Sequence, residues 1–281
     1  DTVILARGDS PADALPAVPL AKQYNAPLLL TPTGSLPAAV LSEIRTLGAQ
    51  NIILIGGTGA IGSGVEKALQ AEGLKVERLS GGSRYETAYA IASKLADGSG
   101  QAVLVNGDQA EAAFADALSV AAWAGSQGIP ILYADSASQG LPAGTAQAFT
   151  ERNITRTILI GGTAMLPAAL EELVPNPVRY SGRDRYATNA AVLKALQPDA
   201  ERVYAATGRN YADALAAAAA AAQIKGSLIL VDGATGSLIP EQESLLRAMK
   251  GQAKELRLIG GPAAVPASTA EALRDLLGLQ Q

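Results

Sequence analysis

The strongest constraint on this 281-residue chain is an internal repeat with a period of about 100 residues. The tetrapeptide Ala-Asp-Ala-Leu occurs three times, and its aspartates are Asp13, Asp116 and Asp213. An apolar segment ending in Gly-Gly recurs in the same order, at 52–57, 157–162 and 256–261. Two independent markers in one order indicate three copies of one structural unit, each packed on its neighbours.

Within each unit, short apolar runs alternate with longer helical patterns. In the first unit, apolar runs at 3–6 and 27–30 flank the Ala-Asp-Ala-Leu segment, and a helical pattern opens at Pro37. The runs are continuously apolar, as expected for strands that are buried on both faces. The pattern predicts an α/β fold of three tandem Rossmann-like βαβ modules with mainly parallel sheets. We place the modules at residues 1–80, 81–180 and 181–281.

A second type of stretch lies between the units and occurs twice. Residues 78–87 read RLSGGSRYET and residues 179–188 read RYSGRDRYAT. Each copy predicts a short strand and then a helix, capped by Ser83 in the first copy and by Asp184 in the second. An arginine in the first helical turn opposes the helix dipole, so it needs a nearby carboxylate or a bound anion.

These two Arg-Tyr stretches supply most of the candidate site residues, with two roles open to them. They either join neighbouring modules or bind an anionic polymer. The candidates are Arg78, Arg84, Tyr85, Thr87, Arg179, Arg183, Arg185, Tyr186 and Thr188.

The three repeated aspartates complete the set of candidates. Asp is disfavoured in a helix flanked by Ala and Leu unless it has a partner. We expect Asp13, Asp116 and Asp213 each to pair with an arginine of a neighbouring unit, as a structural contact. Helix capping is the alternative role for them.

The amino-acid composition limits the catalytic and metal-binding groups that the chain can offer. The chain has no Cys and no His, which removes thiolate nucleophiles, disulfides, the commonest general base and the commonest zinc ligand. A hydrolase could still use carboxylates or a Ser–Lys pair, but few catalytic groups remain, and we expect no metal ligand or cofactor. A net charge of −4 argues against a nucleic-acid partner. The longest apolar run, 214–222, is far shorter than the roughly 20 residues of a membrane span, so none is expected.

One motif favours a different class of function. Residues 57–62 read GTGAIG, which matches the dinucleotide-binding fingerprint, and Glu77 follows at a suitable distance. The equivalent stretches beginning at Gly162 and Gly261 lack the later glycines, which favours a tight strand-to-helix turn. A nucleotide-binding α/β enzyme and a subunit that self-assembles into a lattice through its repeats are two function classes that stay open.

The pattern R-x-S-G-x-x-R-Y-x-T, the Ala-Asp-Ala-Leu segments and the Ile-Gly-Gly strands together resemble the cell wall binding repeat 2 family over essentially the whole chain. Such modules usually occur three in tandem in surface-layer and other cell-wall proteins of Gram-positive bacteria. The resemblance implies Toprim-like modules that close into an intramolecular pseudo-threefold trimer. The family's Arg-Tyr motif carries over to Arg84, Tyr85, Thr87, Arg185, Tyr186 and Thr188, and its aspartate to Asp13, Asp116 and Asp213.

The resemblance also implies a function. It is that of a secreted, non-catalytic module at the cell wall or cell surface. Its partner would be an anionic cell-wall polysaccharide resembling teichoic acid, bound non-covalently, with other surface-layer proteins as further partners. A ring of three modules needs three junctions, and the sequence shows two Arg-Tyr stretches, so we expect a third copy ahead of residue 1.

Overall fold

The computed structural model of the chain describes residues 1–108, 111–137, 140–197 and 199–279. The strands in these ranges are β1 (Thr2–Arg7), β2 (Leu28–Thr31), β3 (Asn51–Ile55), β4 (Lys75–Leu79), β5 (Gln101–Asn106), β6 (Ile131–Ala134), β7 (Arg156–Ile160), β8 (Pro177–Tyr180), β9 (Arg202–Thr207), β10 (Ser227–Val231) and β11 (Glu255–Ile259). The α-helices are α1 (Ala17–Gln23), α2 (Ala38–Thr46), α3 (Ser63–Ala71), α4 (Arg84–Lys94), α5 (Glu111–Gln127), α6 (Ala143–Glu151), α7 (Arg185–Leu196), α8 (Tyr211–Gln223), α9 (Pro240–Ala248) and α10 (Ala267–Leu277). A short 3-10 helix spans Ala168–Leu173.

The described strands form three separate sheets, one for each repeat. Their strand orders are β2-β1-β3-β4, β6-β5-β7-β8 and β10-β9-β11. Every strand pairing between described residues is parallel. Residues 3–6 in the middle of β1 are fully buried, because helices cover both faces of a parallel sheet. The predicted α/β fold of three parallel βαβ modules is confirmed.

The three modules meet at a common centre. Helices α1, α5 and α8, one from each module, pack against one another, and one hydrophobic cluster runs through all three modules. Gly125 of α5 lies at the closest approach. A Cβ atom there would lie 2.8 Å from Ala222 of α8 and 2.9 Å from Val18 of α1. The predicted pseudo-threefold trimer within one chain therefore has a shared, tightly packed interior.

Each Arg-Tyr stretch bridges two modules. Its strand, β4 or β8, extends the sheet of the preceding module, whereas its helix packs on the following one. Helix α4 packs on α6 and β6, and helix α7 packs on α9 and β10. The predicted helix caps are present: Ser83 Oγ accepts from the Glu86 amide, and the Asp184 carboxylate accepts from the amides of Tyr186 and Ala187.

The start of α1 differs from that of the equivalent helices in the other modules. Asp13 lies in a series of turns ahead of the helix rather than inside its first turn. Pro11, Pro16 and Pro19 explain the difference, because proline lacks the N–H that a continuous helix over this stretch requires. The equivalent Asp116 and Asp213 both lie within helices.

Candidate functional site

Arg78 and Arg179 are occupied within their own modules. Arg78 Nη1 donates to the carbonyl of Gly56 at 2.7 Å, and its Nη2 lies 2.7 Å from Glu66. Arg179 makes the equivalent bond to the carbonyl of Gly161 at 2.7 Å and pairs with Glu171 at 2.6 Å. Each arginine side chain is 14% exposed. These two arginines therefore fix the Gly-Gly turn to the helix that follows it.

The repeated aspartates lie against these same turns. Gly56 has a φ of +98°, and a Cβ there would lie 2.7 Å from the Asp13 carboxylate. Gly161 has a φ of +120° and the same relation to Asp116, at 2.6 Å. Only glycine satisfies both demands, since it tolerates positive φ and leaves room for the carboxylate.

The direct partner of each aspartate is a threonine of the next module. Thr87 is hydrogen-bonded to Asp13, and Thr188 to Asp116. Both threonines are 2% exposed, and each Oγ1 also accepts a backbone N–H, from Gly81 and Gly182. The expectation of an arginine partner was therefore wrong for the direct contact. Among the described residues, no arginine lies within ion-pair distance of either carboxylate.

Arg84 and Arg185 act on these carboxylates through charge at longer range. Burial raises the pKa of Asp13, and the charge of Arg84 opposes the rise. Burial likewise raises the pKa of Asp116, to about 6, against the hydrogen bond of Thr188 and the charge of Arg185. Each junction therefore holds a desolvated carboxylate whose charge interacts with that of a more distant arginine.

The same arginines hold the loop that follows the first strand of their own module. Arg84 Nη1 donates to the carbonyl of Gly107 at 2.7 Å, and Arg185 Nη1 to that of Gly208 at 2.5 Å. The ring of Tyr85 packs on Gly107. Tyr186 packs in the same way on Gly208, so both tyrosines are half-buried parts of the loop packing.

Arg183 takes no part in these contacts at the junction. Its side chain is 60% exposed and pairs with Glu241 at 3.0 Å and with Asp184 at 3.5 Å. Asp213, the third repeated aspartate, is half-buried beside Gly260 and has neither a threonine nor an arginine partner in the described part of the chain.

A pocket of about 570 Å³ opens where the three modules meet. All three modules contribute to its wall, which is lined by Arg7, Asp9, Ser10, Pro11, Arg84, Phe114, Ala115, Leu118, Arg185, Gly208, Arg209, Asn210 and Tyr211. Four arginines and one carboxylate are among these residues. The site is a local concentration of positive charge on a chain whose net charge is −4.

The four pocket arginines differ in their partners. Arg7 pairs with Asp9 at 2.6 Å, and Arg209 pairs with Asp232. Within the described ranges, no carboxylate lies within 4 Å of the guanidinium of Arg84 or Arg185. Their remaining N–H groups are thus not engaged by a carboxylate, and the bond to a loop carbonyl holds each group in place.

Sequence reasoning missed Arg7 and Arg209 as site residues. Arg7 is the last residue of β1, and Arg209 lies two residues after β9, so both are at the carboxyl end of the first strand of a module. Ligands of parallel α/β sheets bind at the carboxyl ends of the strands. The position of these two arginines in the sequence could therefore have identified them as site residues.

Three amides of the GTGAIG turn are used within the protein. The amides of Ala60 and Ile61 donate to the carbonyl of Gly57, and the amide of Gly62 donates to that of Thr33. Because these hydrogen bonds close the turn between β3 and α3, they favour the tight-turn interpretation.

Two further features are absent from the described residues. No helix among them is long and apolar enough to span a bilayer. No group of three or more acidic side chains among them is placed to hold a metal ion.

Three parallel α/β modules, closed around one core and one arginine-lined pocket, define a pseudo-threefold repeat protein. The sequence matches the family described as cell wall binding domain 2 (CWB2) in three regions, residues 2–66, 78–171 and 179–270. The chain belongs to this family, and it is a cell-wall-binding module.

Two proteins of Bacillus subtilis are similar to the chain in sequence. The chain is 34% identical to the N-acetylmuramoyl-L-alanine amidase LytC of Bacillus subtilis over 83% of its own length and 45% of that protein. It is 29% identical to the amidase enhancer of the same species, over 98% of its own length and 37% of that protein.

Solved structures are similar over the whole fold. Cwp8 from Clostridium difficile superposes with a TM-score of 0.88 at 29% identity, covering 100% of this chain and 48% of that one. Cwp6 from the same organism superposes with a TM-score of 0.85 at 26% identity, covering 97% of this chain and 43% of that one. The chain thus spans less than half the length of each of these relatives.

Proposed function

We propose that the chain is a non-catalytic anchor that binds an anionic secondary cell-wall polymer non-covalently in the pocket between its modules. The observation that carries this proposal is the convergence of Arg7, Arg84, Arg185 and Arg209 from three modules on one cavity. The proposed setting is extracellular, at the cell wall or cell surface. The proposed module boundaries remain 1–80, 81–180 and 181–281.

Guanidinium groups suit this role. Arginine presents planar, fixed N–H groups that bind phosphate or carboxylate in a bidentate manner. Arg84 and Arg185 are held by their bonds to Gly107 and Gly208, so little side-chain freedom remains to be lost on binding. A repeating polymer would also offer neighbouring anionic groups to the rim arginines, Arg7 and Arg209, which adds avidity.

Features of the pocket support a binding role rather than catalysis. General acid–base chemistry needs a group whose pKa lies near the working pH. The lining carboxylate, Asp9, is hydrogen-bonded by Arg7, and this contact lowers its pKa. The half-buried Asp13 and the buried Asp116 do not line the pocket and are engaged by threonines.

The names of the Bacillus relatives and the extent of the match are consistent with a binding role for the matched region. Their names describe an amidase and an enhancer of amidase, and the matched region is less than half of each. We propose that the matched region is the wall-binding part of those proteins. Other surface-layer proteins are proposed as further partners of the present chain.

The test is binding to purified cell walls, before and after the anionic polymers are stripped from them. Arg7→Ala and Arg209→Ala should each weaken binding about tenfold, because each removes a charge-assisted hydrogen bond. Binding should fall as salt is raised, since exposed charges are screened.

Arg45→Ala is the matched control. Arg45 is an arginine paired with Glu72 that is about as exposed as Arg209 and lies outside the pocket, so it removes the same charge elsewhere. Equal melting temperatures would establish that all three variants fold. The proposal fails if Arg45→Ala weakens binding as much as the pocket variants, or if stripped walls bind as well as intact ones.

A further inference from the structure

A second cleft lies between the second and third modules and shares no lining residue with the arginine pocket. Its volume is about 190 Å³. The residues that line it include Trp123, Gln127, Leu196, Gln197, Asp199 and Lys225. The last two come shortly before β9 and β10, whereas the arginine pocket lies at the carboxyl ends of first strands. The two cavities therefore open at opposite ends of the sheets.

The cleft is open because one side chain is short. The tenth residue after the repeated aspartate is Gln23, Ser126 or Gln223, depending on the module. Gln23 reaches the backbone at the end of α4, through a donor bond of 3.1 Å and an acceptor bond of 2.7 Å. Gln223 likewise donates to backbone carbonyls of the first module. Ser126 donates only to the carbonyl of Trp123 in its own helix, at 2.8 Å, so the space beside the end of α7 stays open.

A buried acceptor in the wall of this cleft has no partner. Gln197 is 8% exposed, and its Nε2 donates to the carbonyl of Gly226 at 2.9 Å. That bond fixes the orientation of the side-chain amide, because the amide oxygen in the same place would face a second acceptor. Gln197 Oε1 is left buried with no hydrogen-bond partner in the part of the chain that the structure describes. Buried polar atoms are nearly always paired, so this oxygen needs an O–H or N–H donor from a molecule in the cleft.

Trp123 supplies an aromatic wall to the same cleft. The seventh residue after the repeated aspartate is Leu20 in the first module and Ala220 in the third, so the indole is particular to the second module. Trp123 and Leu196 are half-buried, pack against the central cluster and also line the cleft. The electron-rich face of an indole attracts the C–H groups on the apolar face of a sugar ring, whose hydroxyls are hydrogen-bond donors.

We propose that this cleft binds one neutral pyranose ring, either as a free sugar or as a ring within a glycan. A ring hydroxyl donates to Gln197 Oε1, the apolar face of the ring packs on Trp123, and Lys225 at the exposed rim donates to a second hydroxyl. The volume suits a single ring, since pockets for drug-sized ligands are larger, at about 300–1,000 Å³. This binding needs no anionic group, so it goes beyond the proposed anchoring through the arginine pocket.

The test is a titration of the full chain with methyl β-D-glucopyranoside and with methyl N-acetyl-β-D-glucosaminide, followed by the fluorescence of Trp123. At least one glycoside should saturate with a Kd of about 0.1–10 mM. Raising NaCl from about 50 to about 500 mM should change that Kd less than about twofold, because the ligand is uncharged. Glycerol, which has hydroxyls but no ring, should not saturate.

The source of the sugar is distinguished by titrating glucose and N-acetylglucosamine alongside the methyl glycosides. The methyl glycosides have the substituted anomeric oxygen of a ring within a chain, whereas the reducing sugars do not. Saturation by a methyl glycoside supports a site that accepts a glycan ring, and saturation by a reducing sugar alone supports a site for the free sugar.

Ser126→Gln is the decisive variant, because it introduces the glutamine of the other two modules and fills the cleft while Trp123 remains as the reporter. It should weaken binding at least about tenfold. Ser93→Gln is the matched control. Ser93 is the penultimate residue of α4, as Ser126 is of α5, and it also donates to a carbonyl of its own helix, but it lies outside the cleft.

Trp123→Leu, which introduces the residue type of the first module, gives a second measurement. Saturation-transfer NMR of the glycoside needs no tryptophan and should show binding to the unmodified chain but not to this variant. Arg7→Ala and Arg209→Ala should retain sugar binding, since they alter the other cavity.

Three results would each overturn the proposal. The first is that none of the four sugars saturates up to about 50 mM. The second is that glycerol binds as tightly as the sugars. The third is that Ser126→Gln and Trp123→Leu both bind as the unmodified chain does, or that the arginine variants lose the sugar instead. None of these readouts involves a wall polymer, so the outcome is independent of the proposed anchoring function.

Discussion

At the scale of single residues, the junction depends on a hydroxyl that receives one hydrogen bond and donates another. Thr188 accepts from the Gly182 amide and is hydrogen-bonded to Asp116, so a buried carboxylate and a buried hydroxyl satisfy each other. An unpaired buried carboxylate would cost several kcal/mol, which is why these residue types recur together. Arg185 contributes its charge at longer range, while its Nη1 donates to the carbonyl of Gly208.

The raised pKa of Asp116 predicts a pH-dependent stability. In the unfolded chain this carboxyl ionises near its ordinary value of 3.8, but in the folded chain it ionises at about 6. The folded state therefore binds the proton more tightly, and its stability falls as pH rises from about 4 to about 6. We expect Asp116→Asn, which keeps an acceptor for Thr188, to gain about 1–3 kcal/mol more at pH 7.5 than at pH 4.

Urea titrations at both pH values measure this difference. Asp9→Asn is the control, because the hydrogen bond from Arg7 lowers the pKa of Asp9. Its stabilising contribution is present above the ordinary pKa and is lost in acid, so its pH trend should have the opposite sign. A stability difference for Asp116→Asn that is flat between pH 4 and pH 7.5 would contradict the prediction.

At the scale of secondary-structure elements, the three central helices set the distance between the modules. A Cβ added at Gly125 would lie within 3.0 Å of both Ala222 and Val18. Gly125→Ala should therefore cost about 1–3 kcal/mol through overpacking, although alanine favours a helix. Chemical denaturation measures the change.

Gly64 of α3 offers the matched comparison. A Cβ at Gly64 would contact nothing within 4 Å, so Gly64→Ala should stabilise the chain by up to about 1 kcal/mol. Adding Val18→Ala to Gly125→Ala should recover part of the loss, with a coupling of at least about 0.5 kcal/mol. If Gly125→Ala is as favourable as Gly64→Ala, the close packing of the helices is not what requires glycine there.

The sequence predicted the elements well, since the repeat, the apolar strand runs and the helix caps are local signals. It did not predict contacts that depend on how the modules close on one another. The hydroxyl of Tyr133 donates to the carbonyl of Ala12, 2.6 Å away and 121 positions earlier in the chain. Arg7 and Arg209 reach one pocket only after ring closure, and the choice of Thr188 over Arg185 as the partner of Asp116 depends on distances that spacing alone does not give.

At the scale of the whole molecule, the modules are not independent domains. One hydrophobic cluster includes residues of all three, such as Ile4, Val103 and Tyr204, while two smaller clusters lie in the outer parts of the first and third modules. The pocket depends on the same arrangement, because its arginines come from three modules. The shared core keeps those four charges at fixed separations, as the proposed polymer binding requires.

The shared core predicts a single cooperative unfolding transition. Trp123, the one tryptophan of the chain, lies on α5 and packs against the central cluster, so its fluorescence reports the centre of the molecule. Far-UV circular dichroism reports the helices and strands of all three modules. The two curves should coincide in urea, because opening any module exposes apolar surface of the others.

Ala222→Asp should shift both curves together to lower urea concentration, since it places an unpaired charge at the fully buried contact between α5 and α8. A tryptophan transition that separates from the circular dichroism transition would instead show modules that unfold one at a time, with a pocket that does not require all three.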